Sequence, residues 1–361
     1  MNQTKVISII LSAALLSVSV MCGCEQKENT LSSTESAVSE TVSANTDNEE
    51  SVDVFAMDTY MNIKAYGTNA KQELKKCSDE IQRLDALFNV TDSQSDIYQI
   101  NARAGSVVEV SQDTAEVIQK AKDISAQTDG ALDISIYPVL REWGFTAGKY
   151  KVPDEQTIEN LLQFVDYRNI NVNGTKVNIP EAYAIDLGSV AKGYTSDRLY
   201  HILKDDGITS ALINLGGNVQ TLGTKPDGSK WTVGIQNPQD LSSYICTLKV
   251  SDLAVITSGN YERYFEEDGK KYWHIMDTRT GKPADNGIIS ATVIGKSGIE
   301  CDALSTALFA MGTDKAKEYC QNHKDIEAVL IDKDMTIYIT EGLVDMITMT
   351  DGLEYSLIER N

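Results

Sequence analysis

The chain has 361 residues, 42% of them hydrophobic, with 53 acidic residues against 32 basic ones and a formal net charge of -21. Such a balance argues against a nucleic-acid partner, because displacing counterions from a phosphate backbone needs a basic surface. An anionic substrate would need a local basic patch or a metal ion to offset the overall field.

Lys5 precedes the apolar run VISIILSAALLSVSVM (6–21), the positive-then-apolar order of a secretory signal peptide and too short for a spanning helix. The run ends in MCGC (21–24), which resembles a bacterial lipoprotein box. Cys24, preceded by the small Gly23, is the expected lipid acceptor, rather than Cys22 after the bulky Met21. Residues 25–52 are rich in Ser, Thr, Glu and Asn and hold no aromatic residue, so they cannot bury a core and read as a flexible tether. The expected organisation is a signal at 1–23, a lipidated Cys24 with its tether to 52, and a folded region from 53 to 361. Such a protein would sit on the outer face of the bacterial cytoplasmic membrane, held by its lipid alone. Cys77, Cys246, Cys301 and Cys320 show no C-x-x-C spacing, so neither a zinc site nor a disulfide framework is indicated.

Residues 51–67 alternate like one strand, or two meeting at Asp58. Apolar positions at Leu74, Cys77, Ile81, Leu84 and Leu87 have helical spacing over 70–89. A second helix is predicted at 112–128, opened by Ser111 or Asp113, and a third over 151–165, capped near Asp154. INVNGTKVNI (170–179) carries the Asn-Gly signal of a hairpin. Residues 183–207 read as strand, Gly turn, helix; 210–238 as two or three strands; and 254–283 as strand, turn, hairpin and loop. A strand at 289–295, a short helix at 301–312 and a hairpin at 326–340 complete the list. The mixture predicts an α+β, or mixed α/β, fold.

Four stretches carry chemistry. CDALST places Asp302 and Thr306 four residues apart on one helix face, with Ser305 near both. Such an oxygen-only set suits Mg2+ where a substrate phosphate completes the shell, although an Asp at a helix start is also a common cap. DLGSVAKGY (186–194) puts a Gly turn, a helix start and Lys192 together, a cradle for an anionic phosphate or simply a tight bend. It lacks the Walker spacing. TSGNYER (257–263) offers hydroxyl, amide and phenol groups in a turn, and Asp133 is a carboxylate in an apolar run that needs a partner. His274, in YWHIMDTRTGKP, is the only one of three histidines among Gly-rich turns, so it is either a proton acceptor or a strand-end residue.

In order, RLDALFN…SDIYQIN, ALDISIYPVLREWGF, AIDLGSVAKGY, LINLGGNVQTLG, TSGNYERYF, HIMDTRTGKP and DALSTALFAMG resemble the blocks of the ApbE-type flavin transferases (FAD:protein FMN transferases), across most of 56–312. The resemblance implies a single large domain of T-fold-like sheet and helix layers with its active site in a cleft. It implies transfer of FMN from FAD, with Mg2+ at the pyrophosphate, to a Thr or Ser of an electron-transfer protein, releasing AMP. By the same resemblance the metal ligands would be Asp302, Thr306, Ser305 and the Ser189 carbonyl. FAD contacts would fall at Met57, Ala131, Leu132, Asp133, Asp186, Lys192, Ser258, Gly259, Tyr261 and Asp277. His274 would be the base, its loop shaped by Asp277 and Thr280. Asp58, Asn260, Thr278 and Cys301 stand where the family more often has Gly, Asp, Pro and Ala. Two other readings stay open: an FAD pyrophosphatase giving FMN and AMP, and an exported flavin-binding lipoprotein without turnover.

Overall fold

The computed structural model describes residues 48–146 and 148–361. The expected signal segment and Cys24 lie outside the described residues. Residues 49–52, assigned above to the tether, instead belong to the sheet, because every position from Glu49 to Ala56 pairs with the stretch from Tyr66 back to Thr59.

Nine strands form the main sheet: β1 Glu49–Ala56, β2 Thr59–Tyr66, β3 Ser210–Leu215, β4 Asn218–Leu222, β5 Ala254–Gly259, β6 Ile288–Gly295, β7 Glu327–Asp332, β8 Ile337–Thr340 and β9 Ser356–Ile358. They lie side by side in chain order. Every neighbour is antiparallel except β8 and β9, which run parallel. Chain-order neighbours mean that the long connections leave the sheet and return beside it, and those connections build the layers on its faces.

The period of two in the strands sorts residues between those faces. On β5, Ala254 and Ile256 join the core of the helical side, while Val255 turns to the other face. On β7, Ala328 and Leu330 go one way, and Val329 and Ile331 the other. Helices α1 Ala70–Phe88, α2 Gln112–Gln127, α3 Ala191–Asp205 and α4 Gly298–Met311 cover the first face. A three-stranded sheet, Trp231–Asn237, Asp240–Val250 and Ile347–Met349, covers the second through Trp231, Ile235 and Leu248. Each wholly buried Ile or Leu contributes about 1.5–3 kcal/mol to this sandwich.

Local chemistry explains the helix limits. Ser111 caps α2 by accepting from Thr114 N, and Asp154 caps Glu155–Leu162 by accepting from Thr157 N. The α4 helix begins three residues before the expected 301, because Ser297 is its cap. Asp302 therefore sits in the second turn, which removes the capping explanation for it. Its helix is buried nearly all round, the mark of a core element rather than a surface one. No strand precedes α3: residues 183–187 are irregular, their backbone bonding instead to Asn101 and Ile134. The short helices Asp96–Ala102, Tyr137–Glu142 and Thr313–Asn322 had no sequence expectation. All four described cysteines are unpaired and buried.

Two glycines with similar backbone angles separate strain from crowding. At Gly216 (φ +64) an added Cβ would lie 2.2 Å from Thr59 Oγ1, whereas at Gly174 (φ +59) nothing lies within 4 Å. Gly174→Ala is expected to cost only the left-handed penalty of about 1–2 kcal/mol. Gly216→Ala is expected to cost that and a further 1–3 kcal/mol or so of overpacking. Urea unfolding of both variants checks this, and equal losses would refute the crowding at Thr59.

Candidate active site

The site is built where α3 meets α4. An added Cβ at Gly193 would lie 2.3 Å from Gly298 O and 2.6 Å from Asp302 Cβ, and one at Gly298 would lie 2.5 Å from Gly193 O. Only paired glycines allow this approach. Through it, Gly193 N–H donates to Asp302 Oδ2 at 2.8 Å, while Asn218 Nδ2 donates to Oδ1 at 2.9 Å. Asp302 is 4% exposed. Burial raises its pKa, and Lys192 and the two donors oppose that rise.

Gly193 is the third residue of α3, so its amide is one of the first-turn donors that find no acceptor inside the helix, and Asp302 supplies that acceptor. The Ser189 carbonyl, just before the helix, receives no backbone donor among the described residues. Hydroxyls complete the cluster: Ser258 Oγ lies 2.8 Å from Ser305 Oγ and 3.2 Å from Thr306 Oγ1. Ser305 is wholly buried and also donates to Asp302 O at 2.8 Å, so it links β5 to α4. Thr306 is only half-buried. This donor set of carboxylate, carbonyl and hydroxyl oxygens fits a hard cation such as Mg2+. Among the described residues no group of three His, Cys, Asp or Glu residues is placed to hold a metal, so such an ion would depend on these mixed oxygens and on its substrate.

Lys192, on the first turn of α3, is the electrostatic centre. Burial raises the pKa values of Asp186 and Asp302, the Lys192 charge opposes that rise at both, and desolvation together with the Arg263 and Lys192 charges lowers that of His274. Asp186 Oδ1 accepts from Gly188 N at 2.8 Å.

His274 follows the strand Lys270–Trp273. Its backbone N–H donates to Arg263 O at 3.2 Å, and its Nδ1 lies 3.2 Å from the same oxygen. A carbonyl only accepts, so the proton sits on Nδ1 and the Nε2 lone pair is free. Desolvation, with help from the Arg263 and Lys192 charges, lowers the imidazole to about 4. The Arg263 guanidinium is itself tied to Phe145 O. An aromatic cluster backs the ring, with Phe145 6.3 Å away between centroids.

The remaining sequence candidates divide. Met57, half-buried, donates its N–H to Asp85 at 3.1 Å, and Thr195 Oγ1 lies 3.8 Å from its sulfur. Gly259 is pressed by the Tyr261 ring, 2.5 Å from where a Cβ would stand, and Tyr261 OH reaches Ser290 at 3.3 Å. Three of the expected contact residues also have partners within the fold. Leu132 is core. Asp133 accepts from Ser135 N, Ser135 Oγ and Tyr167 N. Asp277 accepts from Arg279 N at 2.9 Å and pairs with its guanidinium. Ala131 and Asp277 do border a cavity of about 370 Å³, together with Asp129, Thr278, Met311 and His323. Sequence reasoning missed Asn218 and Arg263. Asn218 stands 84 positions from its partner, and nothing local announces that contact.

A family model described as the ApbE family matches residues 57–330. The FAD:protein FMN transferase of Klebsiella pneumoniae (strain 342) is 35% identical over 72% of this chain and 82% of its own. The chain belongs to the ApbE family. The crystal structure of the ApbE protein from Thermotoga maritima superposes with a TM-score of 0.78 at 30% identity, covering 82% of this chain and 98% of that one. The flavin transferase ApbE from Vibrio cholerae does so at 0.74 and 26%, over 82% and 99%. Two departures from the usual ApbE pattern have local explanations. Met57 and Asp58 form the β1–β2 turn with φ of 49° and 58°, a conformation that favours Gly and that Asp tolerates better than most residues. Thr278, in place of Pro, donates its hydroxyl to Gly130 O at 2.6 Å, a tie that Pro cannot make.

The depressed His274 value gives a direct test. In the ligand-free protein its imidazole resonance is expected to titrate with a midpoint near 4, well below the ordinary value of about 6.5. A midpoint above 6 in an NMR pH titration would contradict the burial and cationic surroundings described here.

Proposed function

We propose that this chain is a Mg2+-dependent FAD:protein FMN transferase that esterifies a Thr or Ser hydroxyl of a target electron-transfer protein and releases AMP. The observation that carries the reading is the oxygen cluster of Asp302, Ser305, Thr306 and Ser258, with the Asp302 carboxylate held by Gly193 and Asn218, together with His274, whose Nδ1 is tied to the Arg263 carbonyl. Its support from comparison is that curated relatives bear that enzyme name.

Mg2+ bound at these oxygens would supply charge neutralisation on the diphosphate. Lys192 holds the anionic phosphates through its ammonium. His274 Nε2 takes the proton of the acceptor hydroxyl as its oxygen bonds to the FMN phosphorus. The bond from that phosphorus to the bridging oxygen breaks, and AMP leaves with the electron pair. A base of low pKa is a weak one in the empty site. Desolvation and the Arg263 and Lys192 charges hold it down, and the dianionic diphosphate offsets those charges, so substrate binding raises the proton affinity of the imidazole and makes it a stronger base. The proposal includes export and attachment through a lipid on Cys24 to the outer face of the cytoplasmic membrane, where the targets would be electron-transfer proteins.

The test incubates the protein with FAD, Mg2+ and a Thr-containing acceptor protein and reads mass and nucleotide products. Acceptor gaining the mass of FMN, with AMP released, is the expected result. Free FMN and AMP without labelled acceptor would establish hydrolysis instead, and unchanged FAD would establish binding only. His274→Ala is expected to keep FAD affinity and lose roughly 10²–10⁴-fold in transfer rate. Undiminished transfer in that variant would remove the base assignment. Asp302→Ala is expected to abolish stimulation by Mg2+ together with transfer.

A further inference from the structure

We infer that Asn218 is a positioning residue whose side-chain amide aims the Asp302 carboxylate at the cation. This rests on the reading of Asp302 as a cation ligand given above. Asn218 is 4% exposed and donates Nδ2 to Asp302 Oδ1 at 2.9 Å. Gly193 N–H holds the other oxygen at 2.8 Å. The carboxylate is thus fixed by two donors from two different elements, each occupying one site on one oxygen and leaving the remaining lone pairs open.

The chemistry of those donors is the argument. A Lys or Arg at this distance would form an ion pair and draw the carboxylate's charge to itself. A main-chain amide and a side-chain amide fix direction while leaving the full negative charge for a cation. Burying an Asn is costly unless its amide has a partner, and an apolar residue would suit a position that only needed packing. The backbone is arranged to deliver this one amide. β3 and β4 turn through Gly216 and Gly217, Leu215 pairs with Asn218 across the turn, and Gly216 lies against Thr59 with no room for a side chain. The hairpin therefore sets Asn218 at a fixed height beside the second turn of α4, whose N-terminus is fixed by Asp197 through Gly298 N and Ile299 N.

The experiment uses the full chain and Mn2+ as the probe, with cation affinity read by electron paramagnetic resonance in the presence of FAD. FAD affinity is read separately by flavin fluorescence in chelator. Asn218→Ala is expected to weaken Mn2+ binding by about 10–100-fold while metal-free FAD affinity stays within twofold of wild type. Asn218→Ser, smaller and still polar, serves if the Ala variant fails to fold, with the same expectation. Mn2+ affinity within twofold of wild type in a folded variant would overturn the inference. So would parallel losses of Mn2+ and metal-free FAD affinity, which would mark general damage to the site. Failure of the wild type to bind Mn2+ would overturn the metal reading itself, and this inference with it.

Discussion

Everything in the site depends on how closely two helices approach. Side chains ordinarily keep helix axes 8–10 Å apart. Where α3 meets α4, glycines on both partners remove that spacer, and a main-chain amide of one helix reaches the carboxylate of the other. The same contact gives that first-turn amide the acceptor its own helix cannot supply. A single substitution of hydrogen for methyl, made twice, therefore orients the acid. The charges on Asp197, which tie α4 back to α3 and through Gln220 to β4, hold the far side of the same joint.

The electrostatics follow from scarcity. In a chain carrying -21 overall, binding an anionic dinucleotide requires the local field to oppose the global one. Lys192 does this at short range, where surrounding protein screens less than water, and Arg263 adds to it beside His274. The cost is visible in the neighbours: carboxylates are pushed up by burial and pulled down by one ammonium, and the histidine is kept neutral by two cations. The acidic surface favours solubility, and within the site Lys192 and Arg263 stand against the carboxylates of Asp186 and Asp302.

Much of the architecture was legible in the sequence because local signals decide it. The Leu74–Cys77–Ile81–Leu84 spacing gave α1, Ser111 and Asp154 gave their caps, and Asn-Gly gave the 171–178 hairpin. The nine strands were mostly visible as alternation, yet their order was not, since pairing is a long-range property. At the site, Asp302, Thr306, Lys192 and His274 could be named from residue type and block order. What could not be read was which local bonds the polar side chains make, such as those of Asp133 to Ser135 and Tyr167 and of Asp277 to Arg279. Nor could Asn218 be found, because Gly-Gly-Asn states only a hairpin. The strand expected before α3 failed because Asn101, far away in sequence, takes the hydrogen bonds that a neighbouring strand would have supplied.

The chain-order sheet also dictates when the site can exist. β1 and β2 close across two residues and β7 and β8 across four, contacts that a chain makes early. β2 and β3 are different: residues 67–209 must be gathered before they pair. Lys192 and Gly193 ride at the end of that insertion, and the bond from Gly193 to Asp302 spans a further 109 positions. Contacts of such separation are formed only after the local ones have narrowed the search. A nascent or partly unfolded chain can therefore display hairpins and helices while lacking any trace of the oriented carboxylate.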